Sequence, residues 1–221
     1  MLKTNELISY KSSLAEDLLK GVEYPWQALP LISQYILDLG PRLDLAEFNQ
    51  TADDIWIHKS VEISPTATLN GPLIIDQDTV VRPGAFIRGN ALIGKSCVIG
   101  NSTEIKNSVL VAHVEVPHYN YIGDSILGPY SHMGAGSITS NIKSDRLNVV
   151  IKAGDTKIET GLRKIGAILG DRVEVGCNTV LNPGTIIGKA SRIYPLSMVR
   201  GFVPAGHIYK TKEEIVLIKE D

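Results

Sequence analysis

Aliphatic residues recur along this chain at every sixth position. From Ile57 the series runs through Ile63, Leu69, Ile75, Val81, Ile87, Ile93, Ile99, Ile105 and Val111 without a break. Ile, Leu and Val supply 65 of the 221 residues, so ten such positions in a row have a chance probability on the order of a few per million at a given start. Four residues after each anchor stands a second, mostly small set: Val61, Ala67, Leu73, Thr79, Ala85, Ala91, Cys97, Thr103 and Val109. The period resumes later in a new frame, with anchors Leu169, Val175, Leu181, Ile187, Ile193 and Val199 and small partners Val173, Thr179, Thr185, Ser191 and Ser197. Between the two runs the series Val111, Val116, Ile122, Leu127, Met133, Thr139 contains two five-residue steps, which bend a coil locally as bulges do in ordinary strands.

A large anchor and a small partner every six residues is the pattern of a left-handed parallel β-helix, an all-β solenoid. Each hexapeptide makes a short strand and a turn. Three make a triangular coil of eighteen residues, with the anchor inside and the small residue at the corner. Coils stack at strand spacing, about 4.8 Å. The β-helix is expected over residues 51–205. Residues 1–50 are expected to form a helical cap or interaction segment, apolar at Leu14, Leu18, Leu19, Trp26, Leu29, Ile32 and Ile36 and broken at Pro25, Pro30 and Pro41. Residues 206–221 are expected to be a tail. Residues 142–168 leave the repeat, and Leu147–Lys152 and Thr156–Thr160 around Ala-Gly-Asp predict a β-hairpin.

Composition narrows the class. The net charge is −2, so no basic field points to nucleic acid. There is no run of eighteen apolar residues and no apolar block with a cleavage site at the N-terminus. Cys97 and Cys177 are too few for a disulfide framework, which fits a cytoplasmic address. The excursion, by contrast, carries six cations against three acids, a basic flap suited to a phosphate-bearing ligand or simply to water.

Several residues have types and spacings suited to chemistry. Arg88 and Lys106 each follow an anchor and lie eighteen apart, one above the other; two stacked cations repel unless an anion lies beside them, which a phosphate would explain. His118 stands where the repeat slips and is a candidate general base, with Tyr121 nearby. A metal at His113 and His118 would need a third histidine a coil away. Eighteen and thirty-six residues before His118 stand Gly100 and Arg82, so no metal is expected.

Four stretches carry a resemblance: Glu104-Ile-Lys-Asn, Pro117-His-Tyr-Asn-Tyr-Ile-Gly-Asp-Ser, Gly134-Ala-Gly-Ser-Ile-Thr-Ser-Asn141 and Arg163-Lys-Ile-Gly-Ala-Ile-Leu-Gly-Asp171. Over roughly residues 70–205 the chain resembles the acetyltransferase half of the bifunctional N-acetylglucosamine-1-phosphate uridyltransferase/glucosamine-1-phosphate acetyltransferase family, in its archaeal form. The resemblance implies acetyl transfer from acetyl-CoA to the amine of an amino-sugar 1-phosphate, in a homotrimer with its sites between subunits and the basic excursion reaching a neighbour. It makes His118 the base. It makes Arg88 and Lys106 phosphate ligands, Tyr121 and Asn141 acceptor ligands, and Ala135 and Cys177 CoA contacts, largely through backbone. His132 replaces the family's asparagine at an acceptor position, which keeps open a sugar hydroxyl as the acceptor. Residues 1–50 show no glycine-rich nucleotidyltransferase start, so this chain is not expected to make a nucleotide sugar alone. A separate nucleotidyltransferase is a possible partner, for which the chain would then be a non-catalytic subunit.

Overall fold

The computed structural model describes residues 2–211 and 213–218. Short strands stack into three parallel sheets that form the sides of a triangular prism, the left-handed β-helix expected from the period. The first face has nine strands, from Phe48–Ala52 to Phe202–Val203, and the second has nine, from Glu62–Ile63 to Ile215–Leu217. The third has seven, from Thr68–Leu69 to Met198–Val199. The inward anchors form one continuous core, from Ile57 and Ile75 to Val203 and Tyr209. Small corner residues are buried too, and their hydroxyls bond backbone carbonyls, as Thr79 Oγ1 does to Gly94 O at 3.0 Å. The corners turn through left-handed residues, among them Asp78, Asn90, Asn107, Asp124 and Asn178, types that tolerate that conformation.

One shortened step lies earlier than the period suggested. Ile93 pairs with Leu110, seventeen residues on, and Leu110 is the core anchor while Val111 faces outward. The five-residue step is therefore Ile105 to Leu110, turned at Asn107 with φ +47°. Ser108, not Val109, takes the small corner place and bonds Lys106 O at 2.9 Å. The other short step, Ile122 to Leu127, stands where the pattern put it. Because of the two steps, residues one coil apart are seventeen apart over 93–139, so Asn101, not Gly100, lies beside His118.

The first face is buried on both sides. Its strands read Leu73-Ile74-Ile75 and Ala91-Leu92-Ile93, and the middle residue of each points away from the prism. The N-terminal segment covers these outward residues. Its helices Glu16–Lys20 and Ile32–Leu39 and the 3₁₀ turns at Pro25–Leu31 bring Leu19, Trp26, Leu29, Ile32 and Ile36 against Trp56, Ile74, Leu92, Val109 and Ile126. The segment thus lies along a side of the prism. The ends are closed differently: antiparallel strands Phe48–Ala52 and Ile215–Leu217 pair with the first-face and second-face edges. The hairpin Val150–Ala153/Thr156–Glu159 leaves the third corner and returns, so that Ile126 pairs with Ile168 as if nothing intervened. Val149 and Ile151 dock it at the same corner one coil on, over Gly184, where an added Cβ would lie 2.5 Å from Val149.

Trp26 is 2% exposed in the layer over the first face. Trp26→Ala is expected to cost about 3–5 kcal/mol, read as a lower midpoint in urea unfolding. A midpoint equal to wild type would mean that the segment is not part of the cooperative fold.

Candidate functional site

His118, Ala135 and Cys177 lie seventeen and forty-two residues apart in sequence and one coil apart in space. Gly136 N–H donates to His118 O at 3.0 Å and Asn178 N–H to Ala135 O at 2.8 Å, so the three form a vertical ladder at the corner between the second and third faces. Beside it runs a groove of about 430 Å³, lined by His118, Ala135, Cys177, His132, Glu115 and Arg82. The amide N–H groups of Ala135 and Cys177 donate to no acceptor among the described residues. They are free donors at the groove wall, suited to ligand carbonyls.

Asn120, which the sequence reading passed over, holds the ladder's upper end. It is buried at 2% exposure. Its Oδ1 accepts from His118 N–H at 3.1 Å, and its Nδ2 donates to Gly134 O at 2.9 Å and to Ser137 O at 3.1 Å. One amide thereby ties His118 to the glycine-rich turn of the next coil. The His118 imidazole itself makes no hydrogen bond among the described residues, with Tyr121 or any other group. His132 stands in register between Glu115 and Glu174 and its Nδ1 lies 3.0 Å from Glu174 Oε2, which fixes its ring in the groove.

The remaining candidates gather at the other edge of the third face. Asp124, 4% exposed, is their hub. Lys106 Nζ lies 3.4 Å from its Oδ2, and Asn107 Nδ2 donates to its Oδ1 at 2.9 Å. Asn141 Nδ2 donates to Asp124 Oδ2 and, at 3.2 Å, to the Tyr121 hydroxyl. Burial, with Asp124 and Glu104 nearby, pushes the Tyr121 phenol up from its ordinary value, so it stays a proton donor. Arg88 is paired with Glu104 at 2.7 Å. The anions that relieve the Arg88–Lys106 stack are therefore carboxylates of the chain, one on the strand beside Arg88 and one a coil beyond Lys106. Arg163 and Lys164 border the same hub, in a groove they share with Asn107, Asp124 and Leu29.

The structure thus brings together His118, His132, Ala135 and Cys177 at one corner and Arg88, Lys106, Tyr121 and Asn141 toward the next. From His118 the chain turns the corner at Tyr119, φ +52°, and then runs along the third face through Tyr121–Gly123. Among the described residues no cluster of three or more His, Cys, Asp or Glu has the arrangement of a metal site.

The profile of the GMPPB C-terminal domain matches residues 69–183, more than half of the chain, and takes in every one of these residues. The chain belongs to the GMPPB C-terminal domain family. Among full-length relatives, it is 35% identical over 226 residues to the bifunctional protein GlmU of Methanococcus aeolicus, covering 94% of this chain and 53% of that protein. It is 29% identical over 196 residues to the bifunctional sugar-1-phosphate nucleotidylyltransferase/acetyltransferase of Sulfurisphaera tokodaii, covering 80% and 49%. It spans about half the length of both. Among solved structures, the acetyltransferase domain of PglB from Neisseria gonorrhoeae in complex with acetyl coenzyme A aligns over 75% of this chain and 58% of that one, at 16% identity and a TM-score of 0.40. The matched segment carries the ladder at a corner of this β-helix, where His118 and Cys177 are exposed.

The two thiols differ sharply. Cys97 is fully buried in the core, and burial pushes it up to about 12. Cys177 is exposed at the groove. A thiol reagent on native protein is expected to modify Cys177 alone, and both thiols after unfolding. Equal reaction of the two in the native state would contradict the core placement of Cys97.

Proposed function

We propose that the protein is an acyltransferase that moves an acetyl group from acetyl-CoA to the amine of an amino-sugar 1-phosphate. The ladder of His118, Ala135 and Cys177, with two free amides along a groove, carries this reading. A thioester carrier laid along the corner would accept hydrogen bonds from Ala135 and Cys177, and its carbonyl would stand by His118. The acceptor's free amine attacks the thioester carbonyl, forming a C–N bond. His118 takes the amine proton, and the tetrahedral oxyanion, formed from the thioester carbonyl, draws on the Ala135 N–H, the amide of the glycine-rich turn that no described acceptor occupies. Collapse breaks the C–S bond and expels the CoA thiolate, which recovers a proton. Lys106 and Arg88 would hold the acceptor phosphate, exchanging part of their pairing with Asp124 and Glu104 for it, while Tyr121 and Asn141 would orient the sugar. The relatives' names, sugar-1-phosphate nucleotidylyltransferase/acetyltransferase among them, support the same class of acceptor.

Base and phosphate ligands lie toward opposite edges of the third face. That separation supports a homotrimer in which the groove of one copy faces the Lys106 edge of the next and the site is completed between them. A cytoplasmic address suits both substrates, and no described helix is long and apolar enough to cross a membrane.

A second reading has its own observation. Arg88 and Lys106 are already neutralised by Glu104 and Asp124, as they would be in a non-catalytic β-helix that serves a separate nucleotidyltransferase.

Acetyl-CoA turnover, followed by released thiol with glucosamine 1-phosphate and galactosamine 1-phosphate, separates the two. Wild type is expected to turn over. His118→Ala is expected to lose about 10²–10⁴-fold in kcat with little change in KM. A folded wild type that binds acetyl-CoA but acetylates neither amine points to a hydroxyl acceptor. One that binds no acetyl-CoA leaves the partner-subunit reading.

A further inference from the structure

A convergence of unpaired cations lies away from both groups described above. Beneath the hairpin, at the corner between the third and first faces, a cavity of about 450 Å³ is lined by Lys143, Lys152, Arg200, Asn182 and Ser140. Its size is that of small-ligand pockets. One carboxylate, Asp145, borders it and is paired with Lys143 at 3.0 Å. The side chains of Lys152 and Arg200 have no hydrogen-bond or ion-pair partner among the described residues. The third face ends at Met198–Val199, so no coil follows to accept from the next amides, and the N–H groups of Arg200 and Gly201 donate to no described acceptor.

The walls are built, not incidental. Val149 and Ile151 anchor the hairpin by buried packing, which holds the Lys152 backbone against Gly201: an added Cβ there would lie 3.4 Å from Lys152 O. Cations from two separate parts of the chain, the flap and the last coil, therefore face one cavity. Ile142, Val150 and Pro183 give the cavity an apolar stretch of wall, beside Ser144.

We propose that this cavity binds the diphosphate of a nucleotide, with Arg200, Lys152 and the free amides on the phosphates and the apolar wall against the nucleoside. Two cations and two amides match a group with two anionic phosphates better than a single phosphate. The apolar wall favours a nucleoside diphosphate over bare pyrophosphate. Two sources share this chemistry, a nucleotide such as UDP and the diphosphate of coenzyme A. The inference goes beyond acyl transfer and does not depend on it.

Calorimetric titration of the full chain at low salt tests it, with UDP, uridine, pyrophosphate and CoA as probes and no acyl transfer required. UDP is expected to bind saturably, pyrophosphate more weakly, and uridine not at all. The double variant Lys152→Gln/Arg200→Gln, whose side chains are exposed, should weaken UDP by at least about tenfold, and Arg200→Lys should retain most of the affinity. CoA that competes with UDP and shows the same sensitivity to the double variant would place the diphosphate of either source in the cavity. CoA binding unaffected by the variant would assign the cavity to the nucleotide. No saturable UDP binding, uridine binding as tightly as UDP, or a correctly folded double variant with wild-type affinity would each overturn the proposal. Loss of this binding with acetyl transfer intact would leave the acyltransferase reading standing.

Discussion

The hydrogen-bond ladder between coils governs everything else in this protein. Each short strand has too few residues to stand alone, and its N–H and C=O groups are satisfied only by the coil before and the coil after. A side chain's neighbours are therefore set by column, and column is set by coil length. When Asn107 takes a left-handed turn and a step shortens to five residues, all later columns move by one. The insertion of a whole hairpin after Ser140 moves none, because the chain re-enters the ladder at Ala167, beside Ser125 Oγ. This is why His118, Ala135 and Cys177 align despite their unequal spacing.

The fold was legible because a triangular prism needs one large aliphatic residue per side and leaves no room for a second at the corner. That requirement is severe enough to show in a single sequence. It does not show where a step shortens when both candidates are aliphatic. Leu110 and Val111 are equal by hydropathy, and the deciding features were polar: Asn107, which accepts the left-handed turn, and Ser108, which fits the corner. The N-terminal segment was legible as apolar and helical but not in its placement. The signal was present in Leu73-Ile74-Ile75 and Ala91-Leu92-Ile93, where three successive apolar residues mark a strand covered on both sides. Trp56, Ile74 and Leu92 required a cover, and the segment supplies it.

The candidate site was less legible than the fold, for an electrostatic reason. Arg88 over Lys106 is a true stack, since Ile87 and Ile105 pair eighteen apart. The inference that a ligand anion must relieve it assumed that no carboxylate of the chain reached either cation. Glu104 belongs to the neighbouring column and Asp124 to the next coil, beyond a shortened step that the period misplaced. Glu104 lies two residues before Lys106 and Asp124 eighteen after it, so an eighteen-residue coil already put both near the stack; what spacing did not show is that Asp124 is buried and that both carboxylates turn toward the cations. Asn120 was missed for a similar reason. It reads as one more polar residue beside His118, and only its burial shows that it ties two coils together.

Charge pairing separates two kinds of cation on this surface. A cation held by a buried carboxylate, as Lys106 is by Asp124, is oriented before any ligand arrives, and a phosphate must compete with that carboxylate for it. Such a pair favours position and selectivity over raw attraction. An unpaired cation such as Arg200 is cheap to keep in water, so by itself it signals nothing. Its meaning comes from convergence: the flap's Lys152 and the last coil's Arg200 meet only because Val149 and Ile151 pin the hairpin over Gly184. Most of the excursion's polar residues stay at the surface, while Val149, Ile151 and Ile165 are buried. The packing of those few residues turns a solvated loop into one wall of a cavity, and so adds a second concave surface to the β-helix besides the groove at His118.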